Sequence, residues 1–192
     1  MKLRNLFFAL AASVFAFSSL MQAYAETNVI VIDQAKIMRD SKAGKDIASK
    51  LNTISEQIGN ELKPAAEALQ KEEKSLNDKV KPLNQAAIRQ DAALLDRIKS
   101  FQKRAQEFEV KRQTRAAEIE LTSRDAWNKF FEALGPALEA VIAENNADVV
   151  LDRSAAVHAS DSIDKTAAVI AKLDATTPSI AVTKQTLPKQ QQ

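Results

Sequence analysis

The 192-residue sequence contains no cysteine, which removes disulfides, thiolate metal sites and cysteine nucleophiles together. Its one histidine, His158, leaves no material for a histidine-rich metal centre. The sequence carries no glycine-rich phosphate loop and no nucleophile elbow, so no common enzyme class has a motif to rest on, and no cofactor or metal is expected. Only three glycines, one tyrosine and one tryptophan stand against 27% charged residues. Large apolar side chains are too few for a big globular core, and the abundance of Ala, Leu, Lys, Glu and Gln describes an elongated, mostly helical chain.

What is present is organised around residues 41–145. In the first half Ile47, Leu51, Ile54, Ile58, Leu62, Ala65, Leu69, Leu76, Val80 and Leu83 recur at steps of three, four or seven, which is helix periodicity. In the second half Ile98, Ala105, Ile119 and Ala126 keep one seven-residue register, and Phe101, Phe108 and Thr122 keep another. A stripe this narrow is a coiled-coil seam. Between the halves lies Lys81-Pro82-Leu83-Asn84-Gln85, where the proline ends one helix and Asn84 caps the next. The expectation is an antiparallel helical hairpin whose two helices reach about 60 and 80 Å. Pro64, and Gly135-Pro136 near the base, interrupt the pattern and are expected to bend it, as packing kinks more readily than as hinges.

The first 25 residues read as an export leader. Lys2 and Arg4 precede the apolar run Leu6 to Leu20, and Ala23-Tyr24-Ala25 has the small residues of a cleavage site. In a cell with two membranes the mature chain would then occupy the periplasm. Of 27 basic residues, removing Lys2 and Arg4 leaves 25 against 25 acidic ones, so the mature chain is formally neutral. The pI of 8.8 is therefore no sign of nucleic-acid binding. Charge is unevenly spread, since 97–115 holds seven basic and two acidic residues while 116–152 holds two basic and eight acidic.

Asn28-Val29-Ile30-Val31-Ile32-Asp33 reads as a short strand buried on both faces. Its partner appears only at Asp148-Val149-Val150-Leu151-Asp152, where the hairpin has returned to its origin, with a third strand expected around Ala156 to Ala159. Residues 162–173 carry Ile163, Ala167, Ile170 and Leu173 at helical spacing, capped by Asp161 or Ser162. The expected organisation is thus a body of residues 26–40 and 146–175, an arm of residues 41–145 inserted between its strands, and a loose tail of 176–192.

Four other features have bland readings that outweigh the chemical ones. His158 with Ser154, Ser160 and Asp161 could suggest a triad, but structural or exposed is the better reading. Asp33 and Asp152 each close a strand and are read as turn residues rather than a carboxylate pair. Trp127, Phe130 and Phe131 are read as packing at the arm's base rather than contacting a ligand. Arg112 and Arg115 sit at seam positions; with a fold-back near residue 86 or 87, Arg112 would lie near Glu61, leaving pairing and ligand binding both open.

Val-Ile-Val-Ile-Asp after the leader, Met38 to Lys45 (Met-Arg-Asp-Ser-Lys-Ala-Gly-Lys), the charged hairpin, Ala147 to Asp152 (Ala-Asp-Val-Val-Leu-Asp) and Ser162 to Thr166 (Ser-Ile-Asp-Lys-Thr) together resemble the Skp/OmpH family of periplasmic chaperones. The likeness covers the mature chain except the tail. It implies a homotrimer whose strands, here Val29, Ile30, Val31, Ile32, Val149, Val150 and Leu151, join in a central β body, with three arms enclosing a cavity. It implies ATP-independent holding of unfolded outer-membrane β-barrel proteins. Contact with the outer membrane or lipopolysaccharide is left open, with no residue assigned to it. An undersized strand body agrees with assembly, because so small a core is marginal alone and pairing sheet edges buries more surface. The basic stretch Arg97, Lys99, Lys103, Arg104, Lys111, Arg112 and Arg115 is the candidate for first contact with acidic clients, against a merely solvated helix face. An envelope coiled-coil adaptor is the alternative, without room for the flanking domains such adaptors need.

Overall fold

The computed structural model describes residues 27–188. The expected leader, residues 1–25, lies outside them, as do the last four residues of the tail. Strand β1 (Val29–Ile32) pairs in parallel with β2 (Val149–Asp152), Val29 opposite Val149 and Ile32 opposite Asp152. All regular structure between them is helical: α1 (Gln34–Asp40), α2 (Lys42–Val80), α3 (Gln85–Gln90) and α4 (Ala92–Asn145). A 3-10 turn (Arg153–Ala155) and α5 (Thr166–Thr176) complete the order. The chain is mainly α, with a long antiparallel hairpin inserted between the strands of a small β body.

Local signals explain the joints. The Asp33 side chain accepts the Lys36 N–H at 2.7 Å and starts α1. Ser41, in extended backbone, ends α1 and caps α2 by accepting the Gly44 N–H at 3.1 Å. At Gly44 a Cβ would come within 1.7 Å of the Met38 carbonyl oxygen, so only glycine lets the two helices meet there. Pro64 and Pro136 stand inside α2 and α4 without ending either helix.

The hairpin turn is longer than the sequence suggests. Asn84 does cap a helix, accepting the Ala87 N–H at 2.8 Å, but that helix is the six-residue α3. The long return helix begins at Asp91, whose carboxylate accepts the Leu94 N–H at 2.9 Å. Aspartate competes with the helical backbone for its own N–H groups and so restarts the helix there.

Two expectations about the body are corrected. No strand forms at 156–159; Val157 is fully exposed and has nothing to pack against. The third segment beside the sheet is 163–165, where the Val31 N–H donates to the Ile163 carbonyl and the Lys165 N–H to the Val31 carbonyl, both at 2.9 Å. Because these residues hydrogen-bond to β1, the last helix starts at Thr166, not Ser162. β1 is thereby flanked on both sides, and β2 lies at the edge.

The core also crosses the expected domain boundaries. Ile30 and Ile32 pack with Ile37, Ile47, Phe130, Leu134, Val141, Val169 and Leu173, so the base of the hairpin is part of the body. Farther out the seam thins, and between residues 59 and 117 only Leu76 and Leu94 are buried.

The loose tail is corrected for residues 177–188. Ile180 is buried in the core cluster and Val182 packs against it. Apolar residues two apart in an extended segment share one face, and that face lies on the helices.

Candidate functional site: strand edge, arm and docked tail

Val29 is half-buried, and the other six strand residues divide in two. Ile30, Val31 and Ile32 are buried and Val150 packs on the core, so their apolar surface is used within the chain. Val149 and Leu151 point the other way, 39% and 41% exposed on the edge strand. Asp33 and Asp152 sit at strand ends, where Asp33 caps α1 and Asp152 caps the 3-10 turn. Asp152 accepts hydrogen bonds from the hydroxyl and backbone N–H of Ser154, which hold its carboxyl below the usual range.

The basic stretch of the arm lies mostly against the acids of α2. Arg97 and Arg104 both reach Glu72, at 2.8 and 3.0 Å. Lys111 and Arg115 both reach Glu61, at 2.9 Å each. The hydrogen bonds from Arg115 and then Lys111 lower the Glu61 carboxyl to about 2. Arg112 does not meet Glu61; it pairs with Glu109 on its own helix at 2.7 Å. The extra short helix shifts the fold-back, so the residue opposite Glu61 is Arg115, three positions on. Lys103 is open, with Glu107 only at 3.9 Å, and Lys99 is exposed and forms no ion pair among the described residues.

Of the aromatic group, Phe130 is fully buried and meets Trp127 and Phe131 edge-to-face at 5.4 and 5.7 Å. Trp127 packs against the core and Phe131 remains 39% exposed. His158 is exposed in the irregular stretch after the 3-10 turn.

A further constellation is illegible in the sequence. Asp46 accepts the Ser179 hydroxyl at 2.8 Å and the Ile180 N–H at 3.0 Å, while Lys50 donates to the Ile180 carbonyl at 2.8 Å. Farther along, the Thr122 hydroxyl oxygen accepts the Gln185 N–H at 2.9 Å. One turn beyond, Glu118 accepts the Leu187 N–H at 3.3 Å. Thr122 and Glu118 are both buried, and the second oxygen of Glu118 holds Arg115 at 2.7 Å. The available signals were weak: a threonine within the apolar register of α4, and the alternation Ile180, Val182 in a tail rich in polar residues.

This arrangement, a parallel strand pair split by a long hairpin whose base fills the core, is matched by sequence. The family described as outer membrane protein (OmpH-like) matches residues 28–173. The chain belongs to the OmpH family. A solved structure described as an OmpH-like outer membrane chaperone of Caulobacter crescentus CB15, a description itself provisional, is similar at 28% identity with a TM-score of 0.71. The likeness covers 86% of this chain and 94% of that one. No curated protein matches the chain. The OmpH match ends at Leu173, so the docked tail falls outside it.

Proposed function

We propose that this OmpH-family protein is a periplasmic chaperone, exported by cleavage after Ala25. As a homotrimer it holds unfolded outer-membrane β-barrel proteins between its arms without nucleotide. Family membership and the Caulobacter neighbour support the chaperone reading. The observation that carries the assembly is the outer edge of β2, unpaired among the described residues, where Val149 and Leu151 offer an apolar strip. An edge of this kind favours pairing with another subunit. The arms then project from a shared base with little buried apolar material of their own, which suits a cage making many weak contacts with an unfolded chain.

The basic stretch serves first contact in this reading. Since Glu61 and Glu72 pair four of its seven residues, Lys99 and Lys103 contribute most of the outward positive field. The deciding experiment dilutes a urea-unfolded porin into buffer containing the protein and no nucleotide. Suppressed light scattering, with a native mass of three chains, is expected. Unchanged aggregation at excess protein would refute the chaperone role, and a monomeric mass would refute the trimer.

A further inference from the structure

Residues 179–187 lie extended over the base of the hairpin and are held largely by their main chain. The N–H groups of Ile180, Gln185 and Leu187 donate to Asp46, Thr122 and Glu118, and the Ile180 carbonyl accepts from Lys50. The helices contribute side chains, three as acceptors and Lys50 as a donor, and apart from the Ser179 hydroxyl the tail contributes backbone groups. Such contacts do not depend on the side chain carried by the extended segment. Spacing fits as well: two residues of extended chain advance about 6.6 Å, and the four residues from Thr122 to Glu118 rise about 6 Å along α4. Two acceptors one helical turn apart, Thr122 and Glu118, therefore match two N–H groups two residues apart in an extended chain. Between the polar anchors, Ile180 and Val182 place apolar side chains two apart on the core, while Ala181 and Thr183 face solvent.

We propose that this groove, formed by Asp46, Lys50, Glu118 and Thr122 beside the core, is a binding site for extended polypeptide, and that the chain's own tail occupies it in cis. The guest it fits is an unfolded segment with apolar residues at alternate positions and unpaired N–H groups, the pattern of a β-strand not yet in a sheet. The site deepens the chaperone reading and rests on it for the identity of the guest. A tethered occupant competes at high effective concentration, so a guest binds only the fraction of molecules whose tail is released. The tail thus sets an affinity threshold that a short or weakly alternating segment does not pass.

The test uses the full chain and the double substitution Ile180→Asp with Val182→Asp, which removes the tail's apolar hold and leaves the helices untouched. Gln185→Pro, which deletes the N–H donated to Thr122 outside the core, is a second variant for use if the first fails to fold. Hydrogen exchange at residues 179–187 reports tail release. Two probes are used: a fluorescent peptide of residues 176–188 and a urea-unfolded outer-membrane barrel polypeptide. Release is expected to tighten binding of the unfolded barrel by about tenfold or more, and the peptide should bind the released variant and compete with the barrel. Thr122→Val in the released background should weaken both. Tail release with unchanged affinity for both probes would overturn the inference. If the released protein binds the peptide but no form binds or protects the barrel polypeptide, the groove stands and the chaperone reading falls.

Discussion

Arg115 and Glu61 meet across the hairpin, 54 residues apart in the chain, with Nη2 of the arginine 2.9 Å from the carboxylate. The same guanidinium holds Glu118 through Nη1. Glu118 in turn accepts the tail's Leu187 N–H, so one arginine connects α2, α4 and the tail.

The two acids beside Arg115 differ in what they lose when it is removed. Glu61 is partly exposed and keeps Lys111, whereas the Glu118 side chain is only 3% exposed and would be left as a buried charge without its cation. Arg115→Met is therefore expected to cost about 1–3 kcal/mol, the penalty of stranding a buried carboxylate. Glu61→Gln should cost markedly less, because an exposed pair is screened by solvent. Urea unfolding of both variants and the double mutant measures this; equal losses would mean that Glu118 draws no benefit from Arg115.

Acid should weaken the hairpin in a defined window. Arg115 and Lys111 lower the Glu61 carboxyl from 4.5 to about 2, and Arg112 with Gln113 lowers Glu109 similarly. A carboxyl more acidic in the folded state binds its proton more tightly when unfolded. Its stabilising contribution is complete above about pH 4.5 and is lost as pH falls through about 2. Melting temperature should fall across that interval, and Glu61→Gln should fall less steeply. Parallel curves for the two proteins would exclude Glu61 as a source of the pH dependence.

Glycines of the arm should respond in opposite senses to alanine. At Gly44 the new methyl would lie 1.7 Å from the Met38 carbonyl oxygen, a backbone atom that cannot turn aside. Gly44→Ala should then cost about 2–4 kcal/mol by forcing α1 off α2. At Gly59 and Gly135 a Cβ has nothing within 4 Å, and alanine there should stabilise the helix by about 0.5–1 kcal/mol. Thermal unfolding of the three variants decides; destabilisation at Gly59 would show that the arm depends on flexibility there.

Val149 and Leu151 are the positions at which to test assembly. Ile30→Asp would bury a charge in the chain's own core and unfold the subunit whatever its oligomeric state. Val149→Lys with Leu151→Lys leaves that core intact and places charges on the edge strand, a common block to strand pairing. Native mass should drop to that of one chain while helical circular dichroism persists. A mass unchanged by the two lysines would place the assembly surface elsewhere.

The helices were legible because their periodicity is local: steps of three and four from Ile47 onward and Pro82 at the turn each act within a few residues. The strand pair was legible because two β-branched runs in so helical a chain have few other partners. Strand 156–159 failed as an expectation because β propensity says nothing about what is available to pair with, and β1 pairs instead with the segment leading into α5. Arg115, rather than Arg112, faces Glu61 because the register depends on a turn containing an extra helix of six residues. That helix was hidden by the absence of a second proline or glycine.

Sequence by itself determined the two long helices, the strand pair and their order, since helix periodicity and strand composition are properties of neighbouring residues. Tertiary structure alone decided which apolar residues are used within the chain and which remain free, separating Ile30 and Val150 from Val149 and Leu151. It also decided that residues 177–188 lie on the hairpin. The tail's hold comes from Asp46, Lys50, Glu118 and Thr122, which lie between 63 and 134 positions away along the chain, and contacts at that separation exist only once the hairpin has folded back on the body.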